Sequence, residues 1–292
     1  MTKRILCSTD LSTEGNRCVP HATSWAEAFG AELHLMTVRD TLAGAGVSEE
    51  TFGAYRQFEE LAEKRARAGL DALEVPAGLT VERHISADPS PTAGIIELAE
   101  GLVADLLVIG RKGGGELARV LLGSTAEQVV RLSPVSTLVV PVKREASRGF
   151  ERIVITDDLS DAARVGLEWG LRVAAKMGGE VLVVHVADTT SHLPVILSGA
   201  ESVFDEYPEL KAQLRARIGE RVRAAGGEEC DFELIISEGR PAGKIATIAR
   251  EHDATCIVTS PTGLGSGERR LFGSVVGKLL RIAPCPVLVA RT

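Results

Sequence analysis

Cysteine is scarce in this chain: there are 5 in 292 residues, at positions 7, 18, 230, 256 and 285, with no C-x-x-C pair. An odd, unpaired set excludes a disulfide-built domain and the common zinc modules. Cys7, Cys256 and Cys285 lie inside apolar runs, the setting of a buried reduced thiol. Basic residues are also in deficit, 33 against 40 acidic, for a formal charge of −7. A phosphate-backbone binder carries the opposite imbalance, so nucleic acid is not an expected partner. No apolar run approaches the roughly 18 residues of a membrane span, so no membrane partner is expected either. The first residues enter a strand pattern with no apolar signal core. A cytoplasmic protein is therefore expected. Aromatics make up only 4%, against 45% apolar residues and 30 glycines. That balance belongs to an Ala/Val/Leu-rich α/β protein and not to a disordered one.

What the chain does have is a repeat. Arg4-Ile5-Leu6-Cys7-Ser8-Thr9-Asp10-Leu11-Ser12 returns as Arg152-Ile153-Val154-Ile155-Thr156-Asp157-Asp158-Leu159-Ser160, an offset of 148 residues. Leu121-Leu122-Gly123-Ser124 returns as Leu271-Phe272-Gly273-Ser274, an offset of 150. So small a drift over so long a span means a duplicated domain. The boundary falls in the short polar stretch from Lys143 to Phe150, giving halves 1–146 and 147–292. Each is large enough for its own core.

Within the first half, short apolar runs alternate with helical patterns. Strands are predicted at Arg4–Thr9, Glu32–Val38, Leu79–Ile85, Leu106–Ile109 and Ser136–Val142. Helices fall at Val19–Phe29, Tyr55–Leu73, from Ser90-Pro91 to about Leu102, and Ser124–Leu132. The second half repeats the strands at Arg152–Thr156, Glu180–Val186, Phe232–Ile236, Cys256–Thr259 and Pro286–Ala290. Alternation of this kind implies parallel pairing with right-handed crossovers, and near-continuous apolar strands imply a sheet covered on both faces. Each half is thus expected to be α/β, a doubly wound five-stranded parallel sheet. Ligands of such sheets bind at the carboxyl ends of the strands, where strand order reverses. The halves are expected to differ most in the loop Ala187–Glu209, which matches Arg39–Ala54 in position only.

The loop after the fourth strand of the first half carries Gly110-Arg111-Lys112-Gly113, then nine residues to Gly123-Ser124. Glycines let a backbone come close to a ligand, and a helix opening at Gly123-Ser124 offers N–H groups to an anion. Arg111 and Lys112 add positive charge. These parts suit a polyphosphate. Ser124-x-x-Glu127 is equally a capping box, which by itself accounts for a serine there. Two look-alikes fail: Gly239–Ile245 lacks the spacing and hydroxyl of a P-loop, and Gly263–Gly267 follows the wrong strand for a dinucleotide fingerprint.

Asp10 at the end of strand one, together with Gly110-x2-Gly113-x9-Gly123-Ser124, resembles the universal stress protein family in its ATP-binding class. The resemblance covers nearly the whole chain as two tandem domains. It implies an adenine nucleotide α-hydrolase-like fold whose two sheets pack as an internal pseudo-dimer, the last strands Ser136–Val142 and Pro286–Ala290 pairing. Further homodimerisation is left open. In the site it implies, Asp10 and Val38 flank adenine and ribose. Gly110, Arg111, Gly113, Gly123, Ser124 and Thr125 hold the phosphates of ATP, with Mg²⁺. The second half keeps Asp158, Val186, Gly263, Gly273 and Ser274, but Ser260 replaces the first glycine. Pro261 there removes a backbone donor, and the counterparts of Arg111 and Lys112 are missing, so a weaker or empty second site is expected.

The function implied is ATP binding in stress response or regulation without fast turnover. An adenylating ATP pyrophosphatase is the alternative, and it would need a Ser-Gly-Gly-x-Asp-Ser loop where this chain reads Ser8-Thr9-Asp10-Leu11-Ser12-Thr13. A nucleotide-free interaction scaffold is the third reading. No catalytic residue is assigned: Asp10 and Asp158 lack a partner acid or a Ser-His pair in both copies, and Asp157 adds a carboxylate in one half only. No metal site is assigned either. His34, His84 and His185 show no ligand spacing and are read as strand packing or edge hydrogen bonding. The charges from Glu59 to Arg67 are read as a solvated helix face with i,i+4 pairs.

Overall fold

The computed structural model describes residues 2–39, 41, 49–111, 122–142, 150–188, 202–262 and 273–292. The chain divides into two compact units, Met1–Ala146 and Ser147–Thr292. In the first, β1 (Arg4–Ser8), β2 (Glu32–Arg39), β3 (Val81–Ala87), β4 (Leu106–Gly110) and β5 (Ser136–Val140) alternate with α1 (Cys18–Phe29), α2 (Glu49–Asp71), α3 (Pro91–Gly101) and α4 (Ser124–Leu132). Its strands lie in the order β3-β2-β1-β4-β5, every neighbouring pair parallel. The order reverses at β1, which pairs β2 on one side and β4 on the other, so the crevice opens beyond the ends of β1 and β4.

The second unit holds β6 (Arg152–Thr156), β7 (Glu180–Ala187), β8 (Phe232–Glu238), β9 (Cys256–Thr259) and β10 (Val287–Val289). Its helices are α5 (Asp161–Met177), α6 (Val203–Glu206), α7 (Pro208–Ala224), α8 (Pro241–Glu251) and α9 (Ser274–Ile282). The order β8-β7-β6-β9-β10, again all parallel, repeats the first unit's plan.

Burial explains the sheets. Every residue of β5 is buried, as are four of the five in β1 and in β4, because helices cover both faces. The duplication extends to backbone strain. Leu11 and Leu159 both take left-handed φ, 61° and 67°, as do Val103 and Asp253 at 50° and 49°. A left-handed conformation costs a side-chain-bearing residue about 1–2 kcal/mol, so its return at the same repeat positions marks turns that the fold enforces. Gly30 and Gly178 end α1 and α5 in the same conformation, where glycine carries no such cost.

Several boundaries differ from the sequence reading. The third strand lies two residues later than Leu79–Ile85, because β2 runs on to Arg39 and pairs Val38 with Ser86 and Arg39 with Ala87. Helix α2 begins at Glu49, well before Tyr55, and β5 stops at Val140 instead of Val142. Ser90 caps α3 through Ala93 N–H at 3.3 Å, with Pro91 following, as its sequence indicates. The Glu59–Arg67 charges are not merely a solvated face. Arg39 reaches from the end of β2 to Glu59 and, at 3.2 Å, to Glu63, which ties α2 to the sheet; Glu63 also meets Arg67 at 3.7 Å. The hydrogen bond from Arg39 to Glu59 raises the guanidinium above its ordinary value.

The cysteines are reduced, and Cys7, Cys18, Cys256 and Cys285 are buried. Cys7 and Cys18, apart in sequence, bring their sulfurs to 3.4 Å. That contact, then burial, pushes the Cys7 thiol well up, and burial raises Cys256. Since the thiolate is the reactive form, alkylation of the native protein should modify Cys230 first, with the other four reacting only in denaturant; peptide mapping after timed iodoacetamide treatment checks this. Rapid native labelling of Cys7 would contradict the burial described. Among the described residues, no helix is long and apolar enough to cross a membrane.

Candidate functional site

The turn after β1 is built from its own side chains. Leu11 N–H donates to Thr9 Oγ1 at 3.0 Å, and Thr9 Oγ1–H donates to Asn16 Oδ1 at 2.7 Å. Ser12 donates to Asp10 Oδ1 twice, from N–H at 3.0 Å and from its hydroxyl at 2.6 Å, while Gly15 N–H donates to Ser12 Oγ at 2.9 Å. These short-range bonds offset the left-handed Leu11 and leave the Asp10 carboxylate exposed at the strand end. Gly15 sits against that carboxylate so closely that a Cβ there would lie 1.9 Å from Asp10 Oδ1.

The loop after β4 is pinned at both ends. Arg111 N–H donates to Val140 O at 2.7 Å, and Gly123 N–H donates to Arg111 O at 2.9 Å. Gly123, not Ser124, is the N-cap of α4, and among the described residues no side chain caps the helix. The Ser124–Glu127 capping box is therefore absent: Ser124 stands one position inside the helix, and Glu127 lies 3.8 Å from Arg131 instead. With glycine at the cap, the first-turn N–H groups carry no side-chain partner from that position and face the crevice end of the helix.

Between these two loops lies a cavity of about 400 Å³, inside the size range of small-molecule sites. It is lined by Asp10, Val38, Gly110, Gly123, Ser124 and Thr125, six of the eight residues singled out in the first half. Gly113 lies outside the described residues. Arg111 is placed at the loop's edge but is not among the lining residues; its side chain is buried, and loss of solvent lowers its pKa. Its main-chain carbonyl holds Gly123. Sequence reasoning missed Gly15 from the first turn, and Pro91 and Ile95 from α3, which also line the cavity. One signal for Gly15 was legible: the second copy has Ala163 at the same repeat position, so a methyl group stands where the first has hydrogen.

In the second unit Asp158 repeats the Asp10 pattern, accepting from Ser160 N–H at 3.1 Å and from its hydroxyl at 2.6 Å. Val186 lies near the end of β7, and Gly273, the N-cap of α9 ahead of Ser274, donates from N–H to Pro261 O at 3.0 Å. Ser260 is buried, and its hydroxyl donates to Thr262 O at 2.8 Å. Gly263 lies outside the described residues. The neighbouring Asp157 is held in an ion pair. It is fully buried and clasped by Arg221 of α7, whose Nε and Nη2 donate to its oxygens at 2.8 and 3.1 Å and whose Nη2 also donates to Ser160 O at 2.7 Å. Where the first unit closes this turn with a neutral Thr9–Asn16 bond, the second uses an ion pair.

Of the histidines, His185 does structural duty, its Nδ1 lying 2.7 Å from Asp157 O. His34 and His84 are brought together with Glu82, a grouping that sequence spacing did not reveal. Burial, then the adjacent His34, lowers the His84 pKa, with Glu82 acting in the opposite direction.

Comparison with known proteins agrees with this architecture. A universal stress protein of Mycobacterium tuberculosis (strain H37Rv) is 28% identical over 241 residues, 79% of this chain and 80% of its own length. One from Mycolicibacterium smegmatis is 27% identical over 300 aligned positions, spanning 98% of this chain and 96% of that protein. Among solved structures, a universal stress protein from Archaeoglobus fulgidus superposes with a TM-score of 0.66 at 23% identity, covering 100% of this chain and 99% of its own. A putative universal stress protein from Pseudomonas aeruginosa gives 0.68 at 16% identity, covering 99% and 93%, so that both share the fold. The universal stress protein family itself matches twice, over residues 1–141 and 149–291, and the chain belongs to that family as two tandem copies of its domain.

Proposed function

We propose that the first unit binds ATP in the crevice between β1 and β4, and that the protein acts in the cytoplasm as a nucleotide-dependent regulator of a stress response. The observation that carries this reading is one cavity gathering Asp10 from the turn after β1, Val38 from the end of β2, Gly110 from the end of β4, and Gly123, Ser124 and Thr125 from the start of α4. Their chemistry fits the parts of the ligand. Val38 and Ile95 offer an apolar wall to adenine, and Asp10 offers an acceptor to ribose hydroxyls. The start of α4, with the Ser124 and Thr125 hydroxyls and a cap that brings no side chain, suits phosphate oxygens. Mg²⁺ would arrive bound to the triphosphate, as it commonly does.

Among the described lining residues Asp10 is the one carboxylate, and none is histidine or lysine. That favours holding a nucleotide over turning it rapidly. In the second unit the Ser260 hydroxyl already satisfies Thr262 O, and Pro261 offers no N–H, which supports a weaker site there. The test is to purify the full chain, denature it and quantify released nucleotide by chromatography. About one ATP per chain is expected. None would turn the reading toward a nucleotide-free scaffold, and two would overturn the asymmetry between units.

A further inference from the structure

Strands β2 and β3 are parallel neighbours, with His34 opposite Glu82 and Met36 opposite His84. Partners across a sheet share a face, as do residues two apart on one strand, so His34, Glu82 and His84 project together. Three ligand atoms converge there. His34 Nδ1 lies 3.0 Å from His84 Nε2 and 3.5 Å from Glu82 Oε2, and the latter two are 3.7 Å apart. A tetrahedral zinc ion bound at about 2.0–2.1 Å sets its ligands roughly 3.3–3.4 Å from one another. The three edges bracket that value before any side chain moves.

We propose that His34, Glu82 and His84 form a zinc site, separate from the nucleotide crevice, whose fourth position is filled by water. Two imidazoles and one carboxylate are a donor set that suits zinc, whereas Mg²⁺ and Ca²⁺ prefer all-oxygen cages. A further observation supports it. His34 is buried, yet its Nε2 has no hydrogen-bond partner among the described residues. Buried polar atoms are rarely left so. With metal on Nδ1, Nε2 carries the proton and points toward Glu32 Oε2, now 3.9 Å away. This is the carboxylate–histidine–metal arrangement by which an outer group fixes the ring of a ligand. Glu82 and His84 belong to the sheet-edge strand and are partly exposed, at 63% and 25%, so the ion has a route in from solvent. None of the three residues lines the nucleotide cavity. The bound ion would clamp the edge strand to β2.

The test uses the full chain, stripped with chelator and titrated with zinc by calorimetry, with Co²⁺ as a spectroscopic probe of tetrahedral geometry. The wild-type chain should bind one equivalent and show the strong visible bands of tetrahedral Co²⁺. His84→Ala and Glu82→Gln, both at partly exposed positions, should each weaken zinc binding by about tenfold or more, as losses in a metal's immediate surroundings do. Circular dichroism confirms that these variants stay folded, and His34→Asn serves as a third variant. Zinc binding that persists unchanged in both His84→Ala and Glu82→Gln, for example on the cysteines, overturns the site; so does a wild-type chain that takes up no zinc. Nucleotide content plays no part in the readout.

Discussion

Gly123→Val is expected to weaken ATP binding by about a hundredfold, the equivalent of two lost charge-assisted hydrogen bonds. Gly123 lines the crevice and caps α4, so a branched side chain there stands between the incoming phosphates and the first-turn N–H groups. Its φ of −64° and ψ of 146° are open to any residue, so the backbone is not strained by the change. The second copy indicates that the fold tolerates a side chain at this place: a Cβ on Gly273 would meet nothing closer than Pro261 O at 3.5 Å, an ordinary contact. The paired experiment is therefore Gly123→Val beside Gly273→Val, with ATP affinity measured by fluorescent-analogue competition and folding by thermal melt. Equal affinities in the wild type and Gly123→Val would remove the phosphates from this helix end. Loss of affinity in Gly273→Val with Gly123→Val unimpaired would instead locate the main site in the second unit.

The second large effect concerns stability. Replacing Arg221 with methionine strands the Asp157 carboxylate, which is fully buried, while Leu159 N–H still donates to it at 2.8 Å. Removing one partner of a buried ion pair costs about 3–5 kcal/mol, because the remaining charge is neither paired nor hydrated. A loss of that size lowers the melting temperature of a domain this large by roughly 10 °C. The double substitution Asp157→Asn with Arg221→Met removes the charge as well as its partner, so it should recover part of the loss. Urea melts of the three proteins test both statements. A single-variant loss below about 1 kcal/mol, the scale of a surface pair, would mean the carboxylate is far better hydrated than its burial implies.

How far the sequence could be read depended on the distance over which each signal acts. Strand and helix positions, the cap at Ser90, and the crevice residues from Asp10 to Thr125 follow from local patterns or from the family's spaced motif. The failures are equally specific. Ser124-x-x-Glu127 has the letters of a capping box, but one residue of register put Gly123 at the cap, and only the backbone angles reveal that. The burial of the Arg111 side chain and the hold of its carbonyl on Gly123 were likewise not legible in its charge. Glu59 and Glu63 looked solvated because helical spacing takes no account of Arg39, which arrives from a strand.

The amino-acid sequence determined a duplicated α/β chain of parallel strands and the family to which it belongs. Apolar periodicity and a repeat of 148–150 residues survive in the linear order. The tertiary structure decided which polar groups meet: Gly15 against Asp10, Arg221 on Asp157 across 64 residues, and His34 beside His84 across 50. Parallel strands are joined through long crossovers, so the register of β2 on β3 is set by side-chain packing and main-chain hydrogen bonding that no local pattern records. Chemistry that depends on such register becomes visible only once the sheet is assembled.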